Sequence, residues 1–284
     1  MTRLGFSHPL FLPLVAGLVL RLAAAWWSTG YLMHDDHFLV VEVGASWSDG
    51  EDYNNWLPWN QAGTPEPKPG NFAYPGLQML LFDLFDWTGP DRPADQMTVV
   101  RLLHGLYGCL IILLGYNLTL SLAPDRKSLA TTAAWLLAAG GFWPLISVHQ
   151  LVEVVCIPPL LLCFWLLARR DRLDWRDVML AGVGLGIATG LRFQCGLIGL
   201  GLIPVFLAER NPRTLLGLGL TALGTFALMQ SPDLFIWGEP FVQLRGYIAY
   251  NSEHAGEYPS GPWYQYGLTL LGLLIPPVSL MLLW

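Results

Sequence analysis

The chain has 284 residues, of which 54% are hydrophobic and only 13% are charged, and its mean hydropathy is +0.45. Soluble domains carry about 25% charged residues, so this composition excludes an ordinary soluble globular protein. The net charge of −6, without any run of Lys or Arg, argues against nucleic-acid binding. The four cysteines have spacings that fit neither a zinc site nor a disulfide framework, so we interpret them as small core residues.

Hydropathy predicts an all-α fold, a single polytopic transmembrane helical bundle over residues 1–284, because each spanning helix needs about 20 apolar residues. The first candidate span is interpreted as a transmembrane helix or signal anchor, since Trp26 and Trp27 stand where a signal peptide would have a small-residue cleavage site. A shorter amphipathic stretch, 77–87, predicts an interfacial helix. The eight candidate spans are 9–27, 99–123, 129–146, 151–168, 178–190, 195–208, 215–229 and 266–284.

The connections between these spans differ in length and charge. Two are long, 28–98 and 230–265, and alternation of the spans places both on the same side of the membrane. The positive-inside rule makes that side non-cytoplasmic, because its loops hold only Lys68, Arg92 and Arg245. The opposite, cytoplasmic segments hold Arg3, Arg126, Lys127, Arg169, Arg170, Arg172, Arg176, Arg210 and Arg213.

A cluster of polar residues, His34, Asp35, Asp36 and His37, follows the first span directly. Two carboxylates flanked by two imidazoles have acid–base capacity and could ligate a metal. A solvated loop start explains the same composition. A tetrahedral zinc site is not predicted, because adjacent residues converge poorly on one ion.

Several charged residues lie at or within the apolar segments. Arg192 occupies a polar corner between two short spans, where its planar donors would suit a phosphate, or where it would snorkel to the interface. Arg101 has the same two interpretations. Arg21, inside the first span, could pair with a carboxylate. Glu153 requires a partner, either a structural ion pair or a bound substrate.

The second long loop is rich in aromatic and hydrogen-bonding side chains, a combination that suits sugar binding. An aromatic belt at the membrane interface explains the aromatic residues equally well. The candidates in this loop and at its end are His254, Tyr258, Trp263 and Tyr264.

Four motifs in this order carry a resemblance to a known family. They are the His34-Asp35-Asp36-His37-Phe38 stretch, similar to Pro-Asp-Glu-His-Phe; the pair Tyr74-Pro75; Arg192 at a helix end; and 258–266, similar to Tyr-Gly-x-x-Pro-Trp-x-Trp-Tyr. Together they resemble the GT-C superfamily of polytopic glycosyltransferases, and within it glycosyltransferase family 22. That family includes the lipid-phosphate-mannose-dependent enzymes of N-glycan and GPI-anchor assembly and bacterial relatives.

The resemblance implies inverting transfer of a sugar, by family mannose, from a polyprenyl- or dolichyl-phosphate donor to a hydroxyl of a glycan or glycolipid. The expected location is the periplasmic or lumenal face of a bacterial inner membrane or endoplasmic reticulum membrane. It implies Asp35 as the catalytic base and Arg192, with Arg101, as the phosphate clamp. The requirement for a metal stays open: no cofactor is certain, the two aspartates and the donor phosphate could hold a divalent cation, and many relatives do not need one. The other implied substrate contacts are Asp36, His37, Tyr74, Glu153, His254, Tyr258, Trp263 and Tyr264.

Two other classes of protein remain open at this stage. A secondary transporter would explain many spans and intramembrane charges, but not two long aromatic loops on one side. A non-catalytic membrane assembly subunit would explain a short chain, but leaves the His-Asp-Asp-His cluster without a role.

Overall fold

The computed structural model describes residues 8–68, 70–169, 174–257 and 261–273. Within these ranges the regular structure is entirely helical, which confirms the predicted all-α class. In chain order the α-helices are α1 (Phe11–Trp27), α2 (His34–Asp36), α3 (Glu42–Ser48), α4 (Ala73–Thr88), α5 (Pro93–Leu122), α6 (Lys127–Ala139), α7 (Trp143–Ile146), α8 (Val152–Val155), α9 (Ile157–Ala168), α10 (Trp175–Leu191), α11 (Cys195–Leu200), α12 (Leu202–Ala208), α13 (Pro212–Met229), α14 (Pro232–Ile236), α15 (Val242–Glu253) and α16 (Gln265–Leu273), with a π-helical turn at His37–Val41 and a 3-10 turn at Pro58–Asn60.

Two helices in the described ranges are long and apolar enough to cross a membrane, Pro93–Leu122 and Pro212–Ile236. Three shorter apolar helices cover Phe11–Trp27, Val152–Ala168 and Cys195–Ala208. These findings give coarse support for membrane association. The segments predicted as spans are helical where the structure describes them, and the last of them lies outside the described residues beyond 273. That eight of these segments cross a membrane stays a prediction.

Several predicted spans are broken rather than continuous. The segment 129–146 forms α6 and α7, separated at Gly140 and Gly141, and Gly141 has a φ of +54° that a glycine adopts without steric cost. The segment 151–168 forms α8 and α9, and the second of these has proline in its first turn. Proline cannot donate a backbone hydrogen bond to the preceding turn, so it favours a new helix start.

The helices pack in two connected groups. In the first group α5 contacts α1 and α6. In the second group α9 packs on α10, and α10 packs on α13. The contact between α5 and α9 connects the two groups. Small residues on α10 allow close approach: a Cβ added at Gly184 would lie 2.5 Å from the carbonyl oxygen of Pro159, and one at Gly186 would lie 2.6 Å from that of Ala222. Glycine at such positions lets helix backbones pack closely, as in membrane helix pairs.

Arg21 is completely buried where α1, α5 and α6 meet. The partner suggested from sequence was a carboxylate, but the guanidinium donates instead to three carbonyl oxygens: Gly17 at 3.1 Å, Ala138 at 3.2 Å and Leu137 at 3.0 Å. Leu137 and Ala138 belong to the last turn of α6, whose carbonyls have no partner within that helix. Arg21 therefore stabilises the end of α6.

The predicted amphipathic stretch 77–87 lies within α4. One face of α4 packs inward through Phe82 and Phe85, which are 7% exposed each. Its outward face carries Leu77, Leu80, Leu84 and Trp87, all of which are exposed. The helical conformation of this stretch agrees with the prediction, and its position at a membrane interface stays a prediction.

Candidate functional site

A cavity of about 760 Å³ lies where the first long loop, α8, the corner between α10 and α11, and α15 come together. Segments separated by more than a hundred positions in sequence build its wall. Five of the residues that sequence analysis selected share this wall: Asp35, Asp36, Tyr74, Glu153 and Arg192.

An ion pair joins two of these residues across the cavity wall. Nη2 of Arg192 lies 2.9 Å from Oε1 of Glu153, and the two side chains are 37% and 52% exposed. Arg192 directly follows α10 in extended conformation, and Glu153 lies in the first turn of α8. The predicted need of Glu153 for a partner is therefore met by Arg192. Because both groups keep solvent access, the pair remains reachable by a ligand.

The two adjacent aspartates occupy different environments. The side chain of Asp35 is 87% exposed at the cavity rim, with its Oδ1 3.4 Å from Nδ1 of His34. Asp36 is half-buried, and its Oδ1 accepts a hydrogen bond of 2.9 Å from the backbone N–H of Val152. The pKa of Asp36 is raised to about 6, mainly by burial; the Val152 N–H opposes the rise and the nearby Glu153 carboxylate adds to it. Asp36 thus anchors α8 to the first loop, whereas Asp35 faces the solvent-filled rim.

Tyr74, near the start of α4, is held by a buried histidine. Its hydroxyl oxygen lies 2.7 Å from Nε2 of His104, whose Nδ1 lies 2.8 Å from the carbonyl oxygen of Val100. Since a carbonyl can only accept, Nδ1 carries the proton and Nε2 accepts from the Tyr74 hydroxyl. Burial raises the pKa of Tyr74 well above its ordinary value, so the hydroxyl stays neutral. Sequence reasoning missed His104, although a histidine within an apolar helix was a signal for a buried polar pair.

Two predicted site residues of the first half of the chain lie away from this cavity wall. Nε2 of His37 pairs with Oε1 of Glu42 at 3.0 Å. Arg101 is only 6% exposed, and its guanidinium donates to the carbonyl oxygens of Ser28 at 2.9 Å and Gly30 at 2.7 Å. Arg101 therefore binds the backbone of the loop that leads from α1 to the aspartates.

The predicted site residues near the end of the chain either do not line the cavity or lie outside the residues that the structure describes. The ring of His254 stacks on Tyr250 with centroids 4.3 Å apart, and Tyr250 itself lines the cavity. Trp263 is 91% exposed and Tyr264 is 52% exposed, and neither lines the cavity. Tyr258 lies outside the described residues.

Aromatic and amide side chains that were not selected from sequence complete the wall. The Gln194 amide donates to the Tyr247 hydroxyl, and the Tyr247 ring packs edge-on against Phe193 at 5.2 Å, which connects α15 to the corner that bears Arg192. Nδ2 of Asn71 donates to the carbonyl oxygen of Leu191 at 3.2 Å and so ties the first long loop to the same corner. The further wall residues of this type are Trp56, Tyr250 and Asn251.

Among the residues that the structure describes, no three His, Cys, Asp or Glu side chains come together in a metal-binding arrangement. Comparisons with protein-family models, with curated proteins and with solved structures find no match to this chain.

Proposed function

We propose that this protein is an integral membrane glycosyltransferase of the GT-C type. It transfers a sugar, mannose as the first choice, from a polyprenyl- or dolichyl-phosphate donor to an acceptor hydroxyl, with inversion. The observation that carries the proposal is the shared cavity: two aspartates, an arginine and several aromatic residues line one cavity of about 760 Å³. A cavity of this size suits a small polar ligand such as a sugar and its phosphate.

The proposed reaction needs a base. The acceptor oxygen attacks the anomeric carbon from the face opposite the phosphate, and its proton passes to a carboxylate. Asp35 is the proposed base, because it lines the cavity and its carboxylate is 87% exposed rather than engaged by the backbone. Asp36 has one oxygen occupied by the Val152 N–H, which suits it to holding α8 in place.

The reaction also needs stabilisation of the leaving group. As the bond between the anomeric carbon and the phosphate oxygen breaks, negative charge develops on the phosphate. Arg192 is the proposed clamp, since its guanidinium lines the cavity and its planar donors match two phosphate oxygens. The side chains of Tyr247 and Tyr250 offer aromatic faces for the sugar or the lipid.

The proposed setting is a multi-pass bundle of about eight spans, with the N-terminus in the cytoplasm and the cavity on the periplasmic or lumenal side. Many large apolar side chains face outward, for example Leu216, Leu220 and Leu223 on α13, which agrees with a lipid-facing surface. A single cysteine placed at position 50, in a variant lacking the four native cysteines, tests the orientation. We expect a membrane-impermeant thiol reagent to label it from the non-cytoplasmic side. Labelling only from the cytoplasm would refute the arrangement.

A transfer assay tests the activity. Purified protein is incubated with polyprenyl-phosphate mannose and with other polyprenyl-phosphate sugars, each with glycan or glycolipid acceptors. A liposome uptake assay with sugar phosphates runs beside it. We expect product from the wild type and none from Asp35→Asn. Uptake without product would indicate a transporter instead. Neither uptake nor product from correctly folded protein would indicate an assembly subunit.

A further inference from the structure

The charge of the cavity wall does not favour an anionic ligand. Three carboxyl groups line it, those of Asp35, Asp36 and Glu153. Among the described residues of the wall, Arg192 is the only arginine and no lysine is present. In this structure Glu153 already engages that arginine through Nη2. A phosphate that approaches Arg192 therefore meets a competing carboxylate on the same guanidinium.

We propose that Glu153 is a resident counter-anion that occupies the phosphate position on Arg192 and is displaced by the ligand's phosphate. The inference rests on the proposed function, because it assigns the phosphate to the same arginine. Glu153 thus acts as a gate at the site rather than as a direct substrate contact. The ligand chemistry is a phosphate ester attached to a lipid.

The geometry of the pair supports exchange. Contact is made between one guanidinium nitrogen and one carboxylate oxygen, Nη2 and Oε1, at 2.9 Å. A phosphate can instead take two parallel hydrogen bonds from the guanidinium fork, a stronger arrangement than a single contact. The two side chains are 37% and 52% exposed, so breaking their ion pair is inexpensive in water.

The backbone next to Glu153 is held by a hydrogen bond, whereas its side chain is 52% exposed. Asp36 accepts the Val152 N–H at 2.9 Å, immediately before Glu153, so the start of α8 is pinned to the first loop. The corner that bears Arg192 is held by the Asn71 bond to Leu191. Displacement of the carboxylate therefore requires only rotation of the Glu153 side chain and no movement of either segment.

The chain offers a matched control in a second exposed ion pair. Nη2 of Arg245 lies 2.6 Å from Oε2 of Glu239, with the side chains 61% and 65% exposed, and neither residue lines the cavity. Glu239→Gln removes the same charge from the same type of pair. Any effect of net charge or of protein handling will appear in this variant as well.

The experiment measures binding of farnesyl phosphate to the full chain in detergent by calorimetry. Inorganic phosphate and farnesol are measured separately as comparison ligands. We expect Glu153→Gln to bind farnesyl phosphate roughly three- to fivefold more tightly, the scale of one exposed ion pair that no longer competes for Arg192. Glu239→Gln should bind as the wild type does. Arg192→Gln should bind weakly, and adding Glu153→Gln to it should restore nothing. Inorganic phosphate binding as tightly as farnesyl phosphate would overturn the lipid part of the proposal.

The proposal that Glu153 acts as a gate is overturned if Glu153→Gln binds farnesyl phosphate no more tightly than the wild type. It is also overturned if Glu153→Gln still increases the affinity when Arg192 is replaced by Gln. Thermal unfolding in detergent confirms that the variants are folded, and Glu153→Asp, which keeps the charge but shortens its reach, should give a smaller gain. Sugar transfer separates the two proposals. If the wild type transfers no sugar while Glu153→Gln still binds more tightly, only the proposed function fails. If transfer occurs and Glu153→Gln binds no better, only the gate fails.

Discussion

Two arginines of this protein occupy contrasting surroundings, one at the cavity wall and one inside the helix bundle. Arg192 is 37% exposed and pairs with the carboxylate of Glu153. Arg21 is completely buried and donates to carbonyl oxygens of Gly17, Leu137 and Ala138. The contrast lies in the partners: an exposed side-chain carboxylate can be exchanged for a ligand, whereas backbone carbonyls at a helix end cannot leave.

The surroundings of Arg101 resemble those of Arg21 rather than those of Arg192. It is 6% exposed and its donors bind the carbonyl oxygens of Ser28 and Gly30. The resemblance assigned it to the phosphate clamp together with Arg192, and that role stays a prediction. Its observed contacts hold the loop that carries the aspartates. An arginine in an apolar helix is therefore a functional candidate only when a cavity reaches its guanidinium.

The largest expected effect concerns the chemistry of the cavity region. Asp35→Asn should reduce turnover by about 10²–10⁴-fold, the usual contribution of a general base. Asp35→Glu should lose roughly a hundredfold, because an added methylene moves the oxygen by about 1 Å. Single-turnover transfer, measured with donor binding in parallel, checks both. Near-normal transfer by Asp35→Asn would move the base out of this loop, and attention would turn to Glu253 or Glu257.

The bundle region should respond in stability. Arg21→Met should lower the free energy of unfolding by roughly 2–5 kcal/mol, because it leaves the carbonyl groups of Leu137 and Ala138 buried without donors. Thermal or denaturant unfolding in detergent measures the loss. The fraction that remains folded should keep its phosphate affinity. A variant as stable as the wild type would show that the end of α6 does not depend on Arg21.

Substitution of Arg192 at the cavity should have the opposite profile, a large loss of activity and a small loss of stability. Arg192→Lys should cost about 2–4 kcal/mol of transition-state stabilisation, since lysine keeps the charge but loses the planar fork. Its effect on the free energy of unfolding should stay below about 1 kcal/mol, because half-exposed ion pairs contribute little. Transfer kinetics and unfolding measured on the same preparation check both expectations. Full activity in Arg192→Lys and Arg192→Ala would refute the clamp.

The smallest expected effect concerns Asp36. Its pKa is raised to about 6, so the folded protein retains the proton over a pH range in which the unfolded chain has lost it. Stability contributed by this group therefore falls as the pH rises from about 4 to about 6 and stays low above that. Asp36→Asn should raise the free energy of unfolding by about 1–2 kcal/mol at pH 8, after allowance for solvent screening.

At about pH 3 the same substitution should change stability little, because the wild-type carboxyl group is then mostly neutral in both states. Unfolding curves at the two pH values provide the measurement, and Asp83→Asn, a change outside the cavity, provides the control. A stabilisation of equal size at both pH values would show that ionisation of Asp36 is not its cause.

The sequence by itself determined the helical class and the positions of the apolar segments, because hydropathy is a local property of the chain. Tyr74 was selected through the resemblance of the Tyr74-Pro75 pair to a family motif. The sequence also selected Asp35, Asp36, Glu153 and Arg192, since charged residues in such surroundings stand out without any structure. Its selection of Arg101 used the same reasoning, and sequence alone could not distinguish a guanidinium at a cavity from one that caps a turn.

Only the tertiary structure decided which of these residues meet. The contact between Glu153 and Arg192, the Asp36 bond to Val152 and the Tyr74 bond to His104 join segments from 30 to 116 positions apart. Such contacts depend on how α4, α5, α8 and α10 pack, and the glycines of α10 allow the close approach of this helix to α9 and α13 through the backbone rather than through any polar signal. The difference between Asp35 and Asp36 has the same origin: neighbours in sequence point in different directions, and only the packed loop buries one of them.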